Sequence, residues 1–165
     1  MHRSFSRWTA LAGAALLAVT LSSCSQVNDL TSTPDRDEDG AITETDDVRF
    51  STLKTGDCLM WSEMESISQD VPVRPCSDPH DAQVVGEFDS EADGPYGTAF
   101  SDEVETHCVP AVESFVGPEW ESMDIDLAYI TPDTASWSGS NNTVQCLVVT
   151  SDEEPTLTQS LEGQG

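Results

Sequence analysis

The sequence predicts a small α+β domain stapled by disulfides, with a mainly antiparallel sheet and one main helix. Three observations carry this. Four cysteines are spread over about a hundred residues, one domain's worth of chain. Short β-branched runs bounded by Gly, Pro and Asp recur on either side of a central segment. That central segment alone changes to helical spacing.

Taken in order, Met1 to Arg7 carry two arginines and no acid, and Trp8 to Leu21 is an almost unbroken apolar and small-residue run. This is the pattern of a secretory signal. The run is shorter than the ~20 residues that a membrane-spanning helix needs. Leu21-Ser22-Ser23-Cys24 follows and resembles the bacterial lipobox, which implies cleavage after residue 23 and lipid attachment at Cys24. Cysteine parity agrees: five is an odd number for an exported chain, and reserving Cys24 for lipid leaves Cys58, Cys76, Cys108 and Cys146 as an even set. With two or more acyl chains on one residue the anchor is durable, placing the protein on the extracytoplasmic face of the cell membrane.

Residues 24–47 are rich in Ser, Thr, Asp and Glu with hardly a large apolar side chain, and they read as an acidic flexible tether. The domain proper is expected over 48–150. Cys58 to Trp61 reads as a strand after the Gly56-Asp57 turn, and Val71 to Arg74 as a second whose Pro72 suits an edge. A third runs from Ala82 to Phe88. Val104, Cys108, Val112 and Phe115 stand at helical spacing, with Ser101 as N-cap and Gly117-Pro118 as the stop. Pro110 inside that helix predicts a kink or a break. Leu127 to Ile130 and Thr143 to Val149 complete the strands, and 151–165 reads as a loose polar tail.

Four cysteines allow three connectivities, and sequence alone does not choose among them. The favoured pairing is Cys58 with Cys76 and Cys108 with Cys146, each contributing ~3 kcal/mol by restricting the unfolded chain. A metal site is the rival reading, but there is no CxxC pair and an oxidising exterior disfavours free thiolates.

The formal net charge is −25, and no Lys or Arg occurs after Arg74. Such a chain is repelled by nucleic acid and by anionic lipid headgroups, so nucleic-acid binding is excluded. His80 and Asp81 are the first candidates for chemistry, because an imidazole beside a carboxylate can act as a general base. A structural role is favoured, since adjacent turn residues generally point apart and no nucleophile accompanies them. No GxSxG, phosphate loop or HExxH occurs. Asp35, Asp37, Asp39, Gly40, Ile42 and Asp46 follow the EF-hand loop formula except at the last position, although Pro34 precedes them and no helical pattern flanks them. Trp61, Trp120 and Trp137 are expected to pack in or beside the core rather than to form a stacking surface.

The order Gly56-Asp57-Cys58-Leu59, then Val73-Arg74-Pro75-Cys76-Ser77-Asp78-Pro79-His80-Asp81-Ala82, then Cys108, Trp137-Ser138-Gly139 and Val144-Gln145-Cys146-Leu147, resembles the septum-formation domain of actinobacterial envelope proteins. The resemblance spans about Thr55 to Val149. Its motif residues here are Pro79, His80, Asp81, Trp137 and Gly139. Two departures stand out: Gln83 where the family commonly has Glu, and Asn141-Asn142 where Asp-Arg often follows. The resemblance implies an extracytoplasmic, non-enzymatic interaction domain without cofactor, linked to septum formation, whose partner is an envelope or division protein or a wall component. An envelope hydrolase using His80 and Asp81, and a calcium-responsive tether using Asp35, Asp37 and Asp39, are the alternatives.

Overall fold

A computed structural model describes residues 33–64, 70–151 and 157–165. The expected leader, Cys24 and the first part of the tether lie outside the described residues. Among the described residues six strands form one fully antiparallel sheet: β1 (Asp46–Arg49), β2 (Cys58–Leu59), β3 (Asp70–Arg74), β4 (Ala82–Asp89), β5 (Ile125–Ile130) and β6 (Thr143–Thr150), in spatial order β1-β3-β2-β4-β6-β5. The helix α1 (Gly97–Phe115) lies across one face. The α+β reading therefore holds.

Both disulfides form as favoured, Cys58–Cys76 and Cys108–Cys146. The first ties β2 to the turn after β3. The second fastens the middle of α1 to β6.

Alternation along β6 divides two cores. Val144, Cys146 and Val148 face the helix with Val85, Phe100, Val104, Val112 and Val116. Leu147 faces the other way, with Val48, Phe50, Leu59, Val71, Val73 and Val84. Val84 and Val85 serve opposite cores as successive strand residues do, and the bulge between Val84 and Gly86 keeps Gly86 on the helix side together with Val85. Gly86 also sets how closely α1 approaches, because a Cβ there would stand 2.9 Å from the Ala111 Cβ.

Two expectations about these elements are corrected and a third is narrowed. The helix starts at Gly97, four residues before the anticipated cap, and Ser101 lies in its second turn donating to the Gly97 carbonyl. Phe100 explains the extension: it is buried one turn ahead of Val104 and lengthens the apolar stripe. Pro110 sits within one continuous helix, so of the kink or break expected there the break does not occur. Strand β3 is not an edge, since β1, which the acidic sequence Asp46-Asp47-Val48-Arg49 concealed, pairs with its outer side. Pro72 is tolerated because its carbonyl accepts Met60 N–H, so its missing donor faces the end of the two-residue strand β2 rather than β1.

The tether and tail corrections matter most for function. From Pro34 the chain is folded: Arg36 and Ile42 pair in a tight hairpin, and Ile42 is buried in the core opposite the helix. At the other end Leu157 exchanges both backbone hydrogen bonds with His80, and Leu161 is buried beside α1. Gly163 and Gly165 donate to the Phe115 and Val116 carbonyls, closing the C-terminal end of the helix. Polar composition hid these segments because one or two apolar anchors suffice when backbone groups already have partners.

Candidate functional site

His80 and Asp81 are both buried, and each is held by backbone partners. Asp81 is buried, and its two carboxylate oxygens accept the backbone N–H groups of Trp61 and Ser62, capping the short 3-10 turn Trp61–Glu63. His80 is 0% exposed, its Nδ1 hydrogen-bonds the Asp78 carbonyl at 2.8 Å, and its backbone is clamped by Leu157. A carbonyl can only accept, so Nδ1 carries a proton; burial disfavours the cation and so leaves Nε2 unprotonated, and Nε2 has no partner among the described residues. Burial lowers the His80 pKa below the ordinary imidazole value, against the opposing effect of the Asp78 carbonyl. The imidazole and the carboxylate thus serve different neighbours, as expected for adjacent residues leaving a turn.

A second polar centre surrounds the Gly56-Asp57 turn. Gly56 has φ of 99°, a conformation that favours glycine, and its N–H donates to Val84. Its carbonyl accepts Gln83 Nε2–H at 3.0 Å. The same amide reaches Ser160 Oγ at 2.9 Å, and Gln83 Oε1 accepts Leu161 N–H at 2.8 Å. Gln83 is fully buried, so one side chain joins β4, the turn and the C-terminal segment. Asp57 in turn holds Arg36 through both carboxylate oxygens and accepts Lys54 N–H. This pairing raises the Arg36 pKa, mainly through the hydrogen bond to Asp57. Arg36 also donates to the carbonyls of Gly40 and Thr52, which pins the N-terminal hairpin to the domain.

The acidic run resembling an EF-hand loop forms that hairpin. Asp37 accepts the N–H groups of Asp39 and Ala41, and Asp35, Asp37 and Asp39 are all exposed. Among the described residues no group of three or more His, Cys, Asp or Glu side chains converges to hold a metal ion. Ion chelation needs the aspartates to face a common centre, whereas Asp37 is turned to its own hairpin backbone.

The tryptophans diverge. Trp120 and Trp137 pack against the helix-side core, as expected, but Trp61 is 38% exposed because it opens the turn that Asp81 caps. Trp137 donates from Nε1 to the Ala92 carbonyl at 3.2 Å and meets Phe100 edge-on. Gly139 follows in the same turn. Asn141 Nδ2 closes that turn onto the Ser136 carbonyl, and Asn142 exchanges hydrogen bonds with Ser90, donating from its side chain and accepting at its backbone carbonyl. Between these two loops lies a cleft of about 430 Å3 lined by Ser90, Glu91, Ala92, Asp93, Trp137, Ser138, Gly139 and Asn142.

The motif residues therefore divide into two groups. Pro79, His80 and Asp81 lie where the C-terminal segment docks, and Trp137 and Gly139 lie at the cleft. Sequence reading missed Gln83 and Ser160 as a pair and Glu91 and Asp93 as cleft residues. The signal for the cleft was the Ser90 to Gly97 loop rich in Gly and acid, but nothing local shows which turn it meets. Comparison with known families finds one, described as Septum formation, that matches residues 39–164. No curated protein and no solved structure matches the chain.

Proposed function

The chain belongs to the septum-formation family, and on that premise we propose that it is an exported lipoprotein, anchored through Cys24, whose domain acts without catalysis by presenting an acidic surface to a partner in the division envelope. The observation that carries the non-catalytic part is the use made of Asp81. Both of its oxygens are committed to backbone amides, which leaves neighbouring His80 with no carboxylate to orient it and no solvent access. An envelope hydrolase built on this pair would have to break the cap before it could begin.

Lipidation is supported by the fate of the other cysteines. Four of the five are consumed in two disulfides, so Cys24 is the one left for attachment. The described residues begin at Thr33, and the nine peptide steps from Cys24 to it reach at most roughly 30 Å. The domain is then held close over the membrane, with repulsion between its acids and anionic headgroups turning it outward.

Two measurements test the reading. In-cell photocrosslinking with mass spectrometry, together with imaging, is expected to place the protein among division-envelope components; a uniform distribution with no such crosslinks refutes the septal role. Conservative variants of His80 and Asp81 that still fold are expected to keep partner capture. Hydrolysis of wall fragments by the wild type that these variants lose would refute the non-catalytic role.

A further inference from the structure

We propose that the cleft between the Ser90–Asp93 loop and the Trp137–Asn142 turn receives a lysine or arginine side chain from an extended basic segment of the protein partner. The inference rests on the reading of the domain as an interaction module and names what that module binds and where.

The cleft is prepared in advance. Its walls are joined by the two hydrogen bonds between Ser90 and Asn142 and by the bond from the Trp137 indole to the Ala92 carbonyl. Ser90 is held from behind as well, its hydroxyl donating to Glu103, a half-buried residue of α1, and accepting Ala92 N–H. Little conformational freedom remains to be lost when a ligand enters, which favours affinity. The volume of about 430 Å3 suits one long side chain and the backbone beside it.

Chemistry selects a cation. Trp137 is half-buried and lines the cleft, and an indole is the strongest aromatic partner for an ammonium or guanidinium. Glu91 and Asp93 are exposed on the rim, and neither has a hydrogen-bond or ion-pair partner among the described residues. Other acids near functional segments are spent on the fold: Asp37 on its own hairpin, Asp57 on Arg36, Asp81 on Trp61 and Ser62. The two rim carboxylates are left with an unsatisfied charge beside an aromatic wall, and no Lys or Arg follows Arg74 in the sequence to satisfy it. A neutral glycan could stack on the indole but would leave both carboxylates unneutralised, so the charge favours a basic peptide. The overall net charge of −25 speeds encounter with such a partner, while the cleft fixes where it docks.

The test uses the full chain in non-ionic detergent and a short synthetic peptide alternating lysine and serine, with tryptophan fluorescence and peptide anisotropy as readouts. Glu91→Gln/Asp93→Asn is expected to weaken binding about five-fold or more, as two rim ion pairs of modest worth predict. Glu105→Gln/Glu113→Gln, which removes the same charge from the exposed side of α1, is expected to leave binding unchanged. Trp137→Leu is expected to weaken it further, but the two charge-removing double variants decide the matter because they touch no packing. Equal weakening by both double variants means attraction to net charge alone and overturns the proposal. So does binding of an uncharged wall glycan at the cleft with no peptide binding. If septal crosslinks in cells persist unchanged in Glu91→Gln/Asp93→Asn, the cleft assignment falls while the septal role stands. If the peptide requires the cleft but no septal crosslinks form, the cleft stands and the septal role falls.

Discussion

Replacing Gln83 with glutamate is expected to destabilise the domain strongly at neutral pH and much less in acid. Gln83 is fully buried and uses its amide in both senses, donating to Gly56 and Ser160 and accepting from Leu161. A carboxylate of the same shape still accepts from Leu161 and from the Ser160 hydroxyl, but it has no proton for the Gly56 carbonyl, 3.0 Å away, and brings a charge into the interior. The folded state can avoid that charge by keeping the acid protonated, in which case the OH takes over the lost donor role. The cost is then bounded by the free energy of holding a proton at pH 7 on a group that ordinarily loses it near 4.3, about 3.7 kcal/mol. Burial raises the folded pKa above the unfolded one, so stability is intact below about pH 4.3 and is lost as pH rises towards the folded value. Urea unfolding of wild type and Gln83→Glu with disulfides intact measures this directly. The expected difference is about 2–4 kcal/mol at pH 7 and under about 1 kcal/mol near pH 4.5. Equal stability at pH 7, or a difference that does not change with pH, would refute the reasoning and the docking of the C-terminal segment on which it depends.

Three further outcomes follow from the same structure. His80 has a pKa lowered by burial, so its unfolded form binds protons first and its stabilising contribution is lost as pH falls below about 6.5, by up to about 1.4 kcal/mol per pH unit until the folded pKa is reached. Comparing wild type with His80→Asn, which keeps a donor near the Asp78 carbonyl, should show this slope in wild type only; parallel pH profiles would sink it. Gly86→Ala is expected to cost about 1–3 kcal/mol by pressing its methyl on Ala111, with partial rescue in Gly86→Ala/Ala111→Gly, and strictly additive thermal shifts would argue against the contact. Removing Cys108–Cys146, which closes 38 residues, should cost about 4 kcal/mol against about 3 for Cys58–Cys76, which closes 18; the reverse order in denaturant titrations would contradict the loop-closure account.

Local chemistry carries some of these features and not others. Residues such as Val144, Cys146 and Val148 declare a strand by alternation alone, and Val104, Cys108 and Val112 declare a helix by their spacing. Strand β1 gives no such signal, because only Val48 of its four residues needs burial. The hairpin at Arg36 and the segment around Leu161 look like solvent-loving chain. Their order comes from Arg36 meeting Asp57 and from Leu161 meeting Gln83, and neither encounter leaves a trace in its own neighbourhood. The site divides the same way: Trp137 and Gly139 announce a turn, while the cleft exists only because that turn lands against Ser90.

The sequence by itself determined what depends on composition and short-range order: the α+β class, the run of strands about one helix, the leader with Cys24 as an expected lipid site, the excess of acid and the family resemblance. Tertiary structure decided which cysteines pair, that Pro72 lies inside the sheet, that Asp81 serves backbone amides, and that Glu91 and Asp93 stand beside Trp137 with no cation of their own. The physical reason is range. Periodicity and turn chemistry act over a few residues and are written in them, whereas a hydrogen bond from Gln83 to Ser160 spans 77 positions and exists only once the sheet and helix have brought its ends together.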